Sequence, residues 1–218
     1  MAQAPVGVGK YAWAALAFFA APISLYAFAY VIVGEPMYPS DLAASFLARP
    51  WGINPHALFG GTGLLLGAVQ FHPGLRRSRR VHRLLGRVYV VSCLVTGSAG
   101  MYMAAYSYGG WTTHLGFGSL GALLLFTTTM GFLAVRRGDI DHHRQWMVRS
   151  YALMFAAVTL RLELPLLSSY LGFLEGYRVV SWLCWIPNVV VAEAIVYLSP
   201  TAASATTFAR VRETEGIA

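Results

Sequence analysis

Three times in this chain a histidine stands four residues before a glycine, at the opening of an apolar stretch: His56–Gly60, His82–Gly86 and His114–Gly118. In a helix, positions i and i+4 share a face, so each imidazole would sit beside a place with no side chain. A neighbouring helix or a flat cofactor such as haem can use that space. A fourth histidine, His143, opens another apolar stretch without the glycine. Two neutral imidazoles from opposing helices are what a b-type haem iron requires. The positive end of a helix dipole disfavours protonation of a nearby imidazole and keeps a lone pair free for metal. Ionisable side chains are expensive inside a membrane and are functional candidates there.

The elements that would carry these residues follow from composition. The chain is 57% hydrophobic and only 11% charged, far from the profile of a soluble domain. Six apolar segments reach the length needed to cross a bilayer, at about 11–34, 54–73, 84–107, 114–135, 150–170 and 178–199. Each should be a helix, because lipid offers backbone polar groups no partner. The expectation is an all-α membrane protein with one six-helix transmembrane domain over 11–199, a flexible start at 1–10 and a flexible tail at 200–218. Segments three and five are expected to begin a turn or two early, which brings in His82 and His143. The first segment is too long, and too poor in a small-residue cleavage site, for a cleaved signal peptide.

The net charge of +7 matters less than its placement. Arg76, Arg77, Arg79, Arg80 and Arg83 crowd the link between segments two and three, and Arg136, Arg137, Arg144 and Arg149 surround the link between four and five. The link from Tyr108 to Thr113 has no charge. The positive-inside rule puts the arginine-rich links, and with six spans both termini, in the cytoplasm; Arg210 and Arg212 agree. Topology therefore explains the basic balance, and no nucleic-acid partner is implied. Trp51, Tyr106, Tyr108 and Trp111 mark the outer interface. Leu42, Phe46 and Leu47 form an amphipathic patch suited to the membrane surface, and Asn54-Pro55 reads as a helix start. Gly60, Gly61, Gly63 and Gly67 make a small-residue stripe for close helix packing. Cys93 and Cys184 read as small buried apolar residues.

This topology sorts the histidines by depth. His56 and His114 fall near the outer face, His82 and His143 near the inner one, roughly 20–25 Å apart at 1.5 Å per residue. Two haems are expected, with these four histidines as ligands and Gly60, Gly86 and Gly118 beside the rings. Arginines about the inner level, Arg83 among them, suit propionates or an anionic reductant, and Arg87 points to the inner haem edge or snorkels. A copper or zinc site would need three or four ligands close together, which two separated levels do not supply. His72 reads as interfacial, and of the neighbours His142 and His143 the second is preferred as ligand. Arg161, Glu163 and Glu193 are intramembrane charges. Arg161 is expected to pair with Glu193, and Glu163 to sit by a kink at Pro165.

The runs NPHALFGGTGLLLGAVQF, VHRLLGRVYV and HHRQWMVRSYALMFAAVTLR resemble an uncharacterised bacterial membrane family, domain-of-unknown-function family 2306, over about residues 50–165. That resemblance implies a multi-helix protein of a bacterial cytoplasmic membrane. The histidine arrangement also resembles the cytochrome b561 family, in which one haem lies between helices two and four and another between three and five. Carried over, His56 pairs with His114 and His82 with His143. The resemblance implies electron transfer from a cytoplasmic donor such as ascorbate to an outer acceptor such as ferric iron. The chain departs from that family in placing its histidines nearer the helix ends and in lacking a matching substrate motif.

The leading expectation is thus a two-haem electron carrier or reductase with a small-molecule or protein donor and acceptor. The alternatives are a haem-free transporter or proton pathway through Arg161, Glu163 and Glu193, and a structural subunit of a larger complex; a homodimer is compatible with any of these.

Overall fold

Long, mainly apolar runs satisfy their backbone internally, and the described residues are helical almost throughout. The computed structural model describes residues 10–72, 74–75 and 78–198. They form α1 (Lys10–Ile32), a 3-10 turn (Glu35–Met37), α2 (Ser40–Leu47), α3 (Pro50–Gln70), α4 (Arg79–Ala104), α5 (Trp111–Arg136), α6 (Ile140–Met154), α7 (Ala156–Leu171), α8 (Phe173–Leu183) and α9 (Ile186–Leu198). Among the described residues five stretches are long and apolar enough to cross a membrane: α1, α4, α5, the α6–α7 run and the α8–α9 run. The chain is a multi-pass membrane protein. The expected start at 1–10 and tail at 200–218, with Arg76, Arg77, Arg210 and Arg212, lie largely or wholly outside the described residues.

One end of the bundle carries Arg79, Arg80, Arg83, Arg136, Arg137 and Arg144; the other carries Trp51, Tyr106, Tyr108 and Trp111, all exposed. We call them the arginine end and the aromatic end. α3 packs between α1 and α4, α4 on α5, and α5 on α6. The ring closes where α6 returns to α3: Met154 lies against Gly63, Tyr151 fills the place of a side chain at Gly67, and the Tyr151 hydroxyl donates to the Leu64 carbonyl at 3.3 Å. At its centre Ser150 of α6 bonds both the Tyr89 hydroxyl of α4 (2.9 Å) and Thr128 of α5 (2.8 Å). All three side chains are buried, so each hydroxyl meets a partner instead of hydrocarbon. Gly97 of α4 and Gly121 of α5 bring those helices together, a Cβ at Gly121 standing 3.1 Å from the Gly97 carbonyl.

The early starts expected for segments three and five hold: α4 begins at Arg79 and α6 at Ile140, so His82 and His143 lie in first turns. Two expectations are corrected. α3 starts at Pro50, not at Asn54-Pro55. Pro50 takes an early position that needs no N–H, and Asn54 is left inside the helix with its Oδ1 buried and unbonded. α6 and α7 meet at Phe155, where Val158 N bonds the Phe155 carbonyl at 2.8 Å in a tight 3-10 step, and Pro165 stands inside α7. The patch at Leu42 and Phe46 does not lie free on the surface. It folds as α2, with Leu42 buried in the core and Phe46 against Tyr30 and Tyr38; only Leu47 is exposed.

The Phe155 break changes partners. Before it, α6 packs on α5, α3 and α9; after it, α7 packs on α8 and touches α1, while α8 covers α5.

Candidate functional site

The four histidine-bearing helices follow one another around the ring, so α3 faces α5 and α4 faces α6 across diagonals. His56 and His114 stand toward the aromatic end of one diagonal, and His82 and His143 toward the arginine end of the other.

His56 is held by α4. Its Nδ1 lies 3.0 Å from the Thr96 carbonyl, and Thr96 Oγ1 donates back to the His56 carbonyl at 2.8 Å. Its ring lies flat enough on Gly100 that a Cβ there would stand 3.1 Å from Nδ1. The residue as a whole nevertheless keeps exposed surface. His143 repeats the arrangement on the other diagonal, its Nδ1 2.8 Å from the Gly131 carbonyl of α5. A carbonyl can only accept, so Nδ1 carries the proton in both rings and Nε2 keeps its lone pair. That is the orientation in which a backbone carbonyl holds a metal-binding imidazole. His114 is turned the other way, with Nε2 3.1 Å from the Ser107 carbonyl and its ring edge-on to Trp111. The carbonyl of His82 accepts from Gln70 Nε2 at 3.0 Å, and its side chain is half-buried.

The three glycines serve different ends. Nothing lies within 4 Å of a Cβ placed at Gly118, so the face of α5 beside His114 is open. At Gly60 the space is taken by the Thr96 hydroxyl, 3.0 Å from a Cβ, and at Gly86 Gln70 Nε2 makes an ordinary contact at 3.4 Å. His72 packs edge-on to Trp13 near the arginine end. Arg83 is exposed and bonds its own helix at Arg79. Arg87 is exposed too and, with Phe59, Thr62, Val88, Val91 and Ser92, lines a cavity of about 250 Å³ between α3 and α4.

His142 and His143 separate cleanly. His142 turns outward to Asp139, the N-cap of α6, whose carboxylate accepts from the His142 backbone N–H (3.1 Å) and meets its ring nitrogen (2.7 Å). Those bonds, the backbone one first, hold the Asp139 carboxyl below its usual range. A depressed carboxyl contributes stability above its unfolded pKa, near 3.9, and loses it as pH falls through the lower folded value. Acidification through this window should fray the first turn of α6, seen as faster hydrogen exchange at the His142 and His143 amides. Asp139→Asn should keep the cap and lose the pH dependence; unchanged pH dependence in that variant would exclude Asp139 as its source.

The intramembrane charges correct one expectation. Glu193 does not pair with Arg161 but with Arg149, through two bonds of 2.6 and 2.8 Å that tie α9 to α6. α9 begins beside α7, where Asn188 bonds Thr159 at 3.2 Å, and then runs along α6 away from Arg161. Arg161 instead donates from Nη1 to the Ala157 carbonyl (2.9 Å) and lies 5.6 Å over the Tyr26 ring. Glu163 keeps one carboxylate oxygen buried without a hydrogen bond. Among the described residues no three His, Cys, Asp or Glu side chains converge as a metal cluster.

Residues 53–196 match the family described as predicted membrane protein, DUF2306. The chain belongs to that family. It matches no curated protein and no solved structure. The DUF2306 region takes in all four histidines and the Arg149–Glu193 pair. It also contains residues that the His–Gly spacing does not reveal: Thr96 and Gly100 behind His56, and the Tyr89–Ser150–Thr128 knot. Ser92, Thr96 and Gly100 recur every fourth residue along α4, a small-residue stripe that would have pointed to the α3 contact.

Proposed function

We propose that this protein is a two-haem b-type electron carrier of the bacterial inner membrane, taking electrons from a cytoplasmic donor at the arginine end and passing them to an acceptor outside the aromatic end. The observation that supports it best is the ring: four helices in chain order, with their histidines at matched ends of the two diagonals. His56 and His114 would hold one haem, and His82 and His143 the other. Haem b, when bound, supplies one-electron redox chemistry; orientation and tuning belong to the protein.

The donor set fits that cofactor at His56 and His143, where a backbone carbonyl fixes the tautomer, raises ligand basicity and leaves Nε2 free. His114 offers Nδ1 while Ser107 holds Nε2, and the open face at Gly118 leaves room for a flat ring. Arg83 and Arg87 place cations at the arginine end, where they suit carboxylates of a propionate or of an anionic donor.

In this reading α3 is a sixth span and both termini are cytoplasmic. Its 21 residues give about 31 Å at 1.5 Å per residue, enough to cross the hydrocarbon. It is less apolar than the other spans because α1 and α4 cover it, and its glycines serve packing.

Protein purified from haem-replete cells should show the sharp reduced-minus-oxidised bands of low-spin b-haem, with two haems per chain. His56→Ala and His143→Ala should each remove about half of the absorbance, and the double variant nearly all. Colourless native protein, or full absorbance in the double variant, would sink the reading.

A further inference from the structure

We propose that Arg161 anchors an oxyanion-binding site inside the aromatic-end half of the bundle, taking the carboxylate or phosphate group of a ligand. This inference does not depend on haem. Arg161 projects from α7 toward α1 and α3, with its Nε buried and without a hydrogen-bond partner. Nη1 is committed to Ala157, so the edge formed by Nε and Nη2 is the one left over. That edge is the fork that grips carboxylates and phosphates with two parallel bonds.

Among the described residues no carboxylate reaches Arg161. Glu193 is held by Arg149 and Glu175 by Arg178. Glu163, two positions along α7, leaves on a different face. Among the described residues the titratable groups within electrostatic reach are Tyr26, Tyr30, His56 and the buried thiol of Cys184. None can neutralise a cation: the Tyr26 hydroxyl donates to the Met37 carbonyl, Tyr30 donates to Tyr26, and His56 donates to Thr96. Arginine does not give up its proton in proteins. A guanidinium in the membrane interior therefore keeps its charge, and without a counter-ion it is costly. Its cation–π contact with Tyr26 offsets part of that cost, and an anion on the Nε edge would offset the rest.

The same fork would accept a free anion entering from the aromatic end or a lipid headgroup reaching in between α1 and α7, which touch only briefly. The experiment separates the two. Full-length protein in phosphatidylcholine nanodiscs is unfolded by heat in sodium chloride, sodium phosphate or sodium succinate of equal ionic strength, and again in chloride with phosphatidylglycerol discs. The native chain should unfold several degrees higher in phosphate or succinate if the source is free, and in phosphatidylglycerol if it is lipid. Arg161→Gln should lose that response and, in chloride with phosphatidylcholine, unfold at or above the native temperature, because an unpaired charge is gone. Arg161→Lys should keep a weakened response, having the charge without the fork. A native chain indifferent to every anion, or a Gln variant that responds as the native does, would overturn the proposal. Haem absorbance in the Gln variant should match the native, so loss of the haem reading would leave this result standing.

Discussion

Replacing Gly67 with alanine is expected to keep the four-helix ring from closing. A single added methyl group would overlap the Tyr151 ring and stand 2.9 Å from Tyr89 Cε2. Neither ring can step aside. Tyr151 is buried, tied to the Leu64 carbonyl and packed on Phe71, and Tyr89 is tied to Ser150. The strain must go into the α3–α6 contact, the one that joins the first helix of the ring to the last. Overpacking a tight core costs about 1–3 kcal/mol and more where nothing yields. Gly67→Ala should therefore unfold well below the native chain in a detergent melt, and Gly67→Leu should not accumulate as folded protein. Gly118→Ala, with open space around its Cβ, is the matched control and should be near neutral in cofactor-free protein. Trimming Tyr151 to valine beside Gly67→Ala should recover part of the loss, because the two positions share one space. A Gly67→Ala melt that overlays the native one would mean that α6 does not seat against α3 as described.

Much of this architecture is legible in the sequence because lipid leaves few choices. Runs such as Trp111–Arg136 have to be helices, and their ends fall where arginines or aromatic residues cluster. The early starts at Arg79 and Ile140 were legible from the histidines and arginines that precede the apolar runs. What stayed hidden depends on contacts between helices. Asn54-Pro55 has the residue types of a helix start, yet α3 begins at Pro50, five residues earlier. Phe155 has no glycine or proline beside it to announce a break. α9 packs along α6, not α7, so Glu193 meets Arg149, which lies 12 residues, about 18 Å of helix, before Arg161. The His–Gly spacing likewise says which residues share a face, not what covers that face. At Gly60 it is a threonine, at Gly86 a glutamine, and at Gly118 nothing. The preference for His143 over His142 has a local cause that sequence does show: an aspartate three residues before His142 caps the helix and turns that ring outward.

Ser150→Ala should be the most damaging loss of a single hydroxyl in the protein, and the reason lies in what its neighbours can do afterwards. Ser150 joins Tyr89 of α4 to Thr128 of α5, and all three side chains are buried near the centre of the bundle. Without it Thr128 can turn to a carbonyl one turn back on its own helix, as Thr127 does toward Leu123 at 2.8 Å. A phenol has no such retreat. The Tyr89 hydroxyl stands far from its own backbone, and the nearby thiol of Cys93 is a weak partner. A stranded buried hydroxyl costs about 1–3 kcal/mol, against about 0.6 kcal/mol for an average side-chain hydrogen bond between membrane helices. Most of the penalty therefore belongs to Tyr89, not to the lost bond, and removing its hydroxyl as well should relieve it. Tyr89→Phe alone should be mild, since Ser150 keeps Thr128. Tyr89→Phe with Ser150→Ala should unfold closer to the native chain than Ser150→Ala does, giving a double-mutant cycle with a coupling of about 1 kcal/mol. Additive losses in that cycle would show that the two hydroxyls do not depend on each other, and that the knot does not hold α4 to α6.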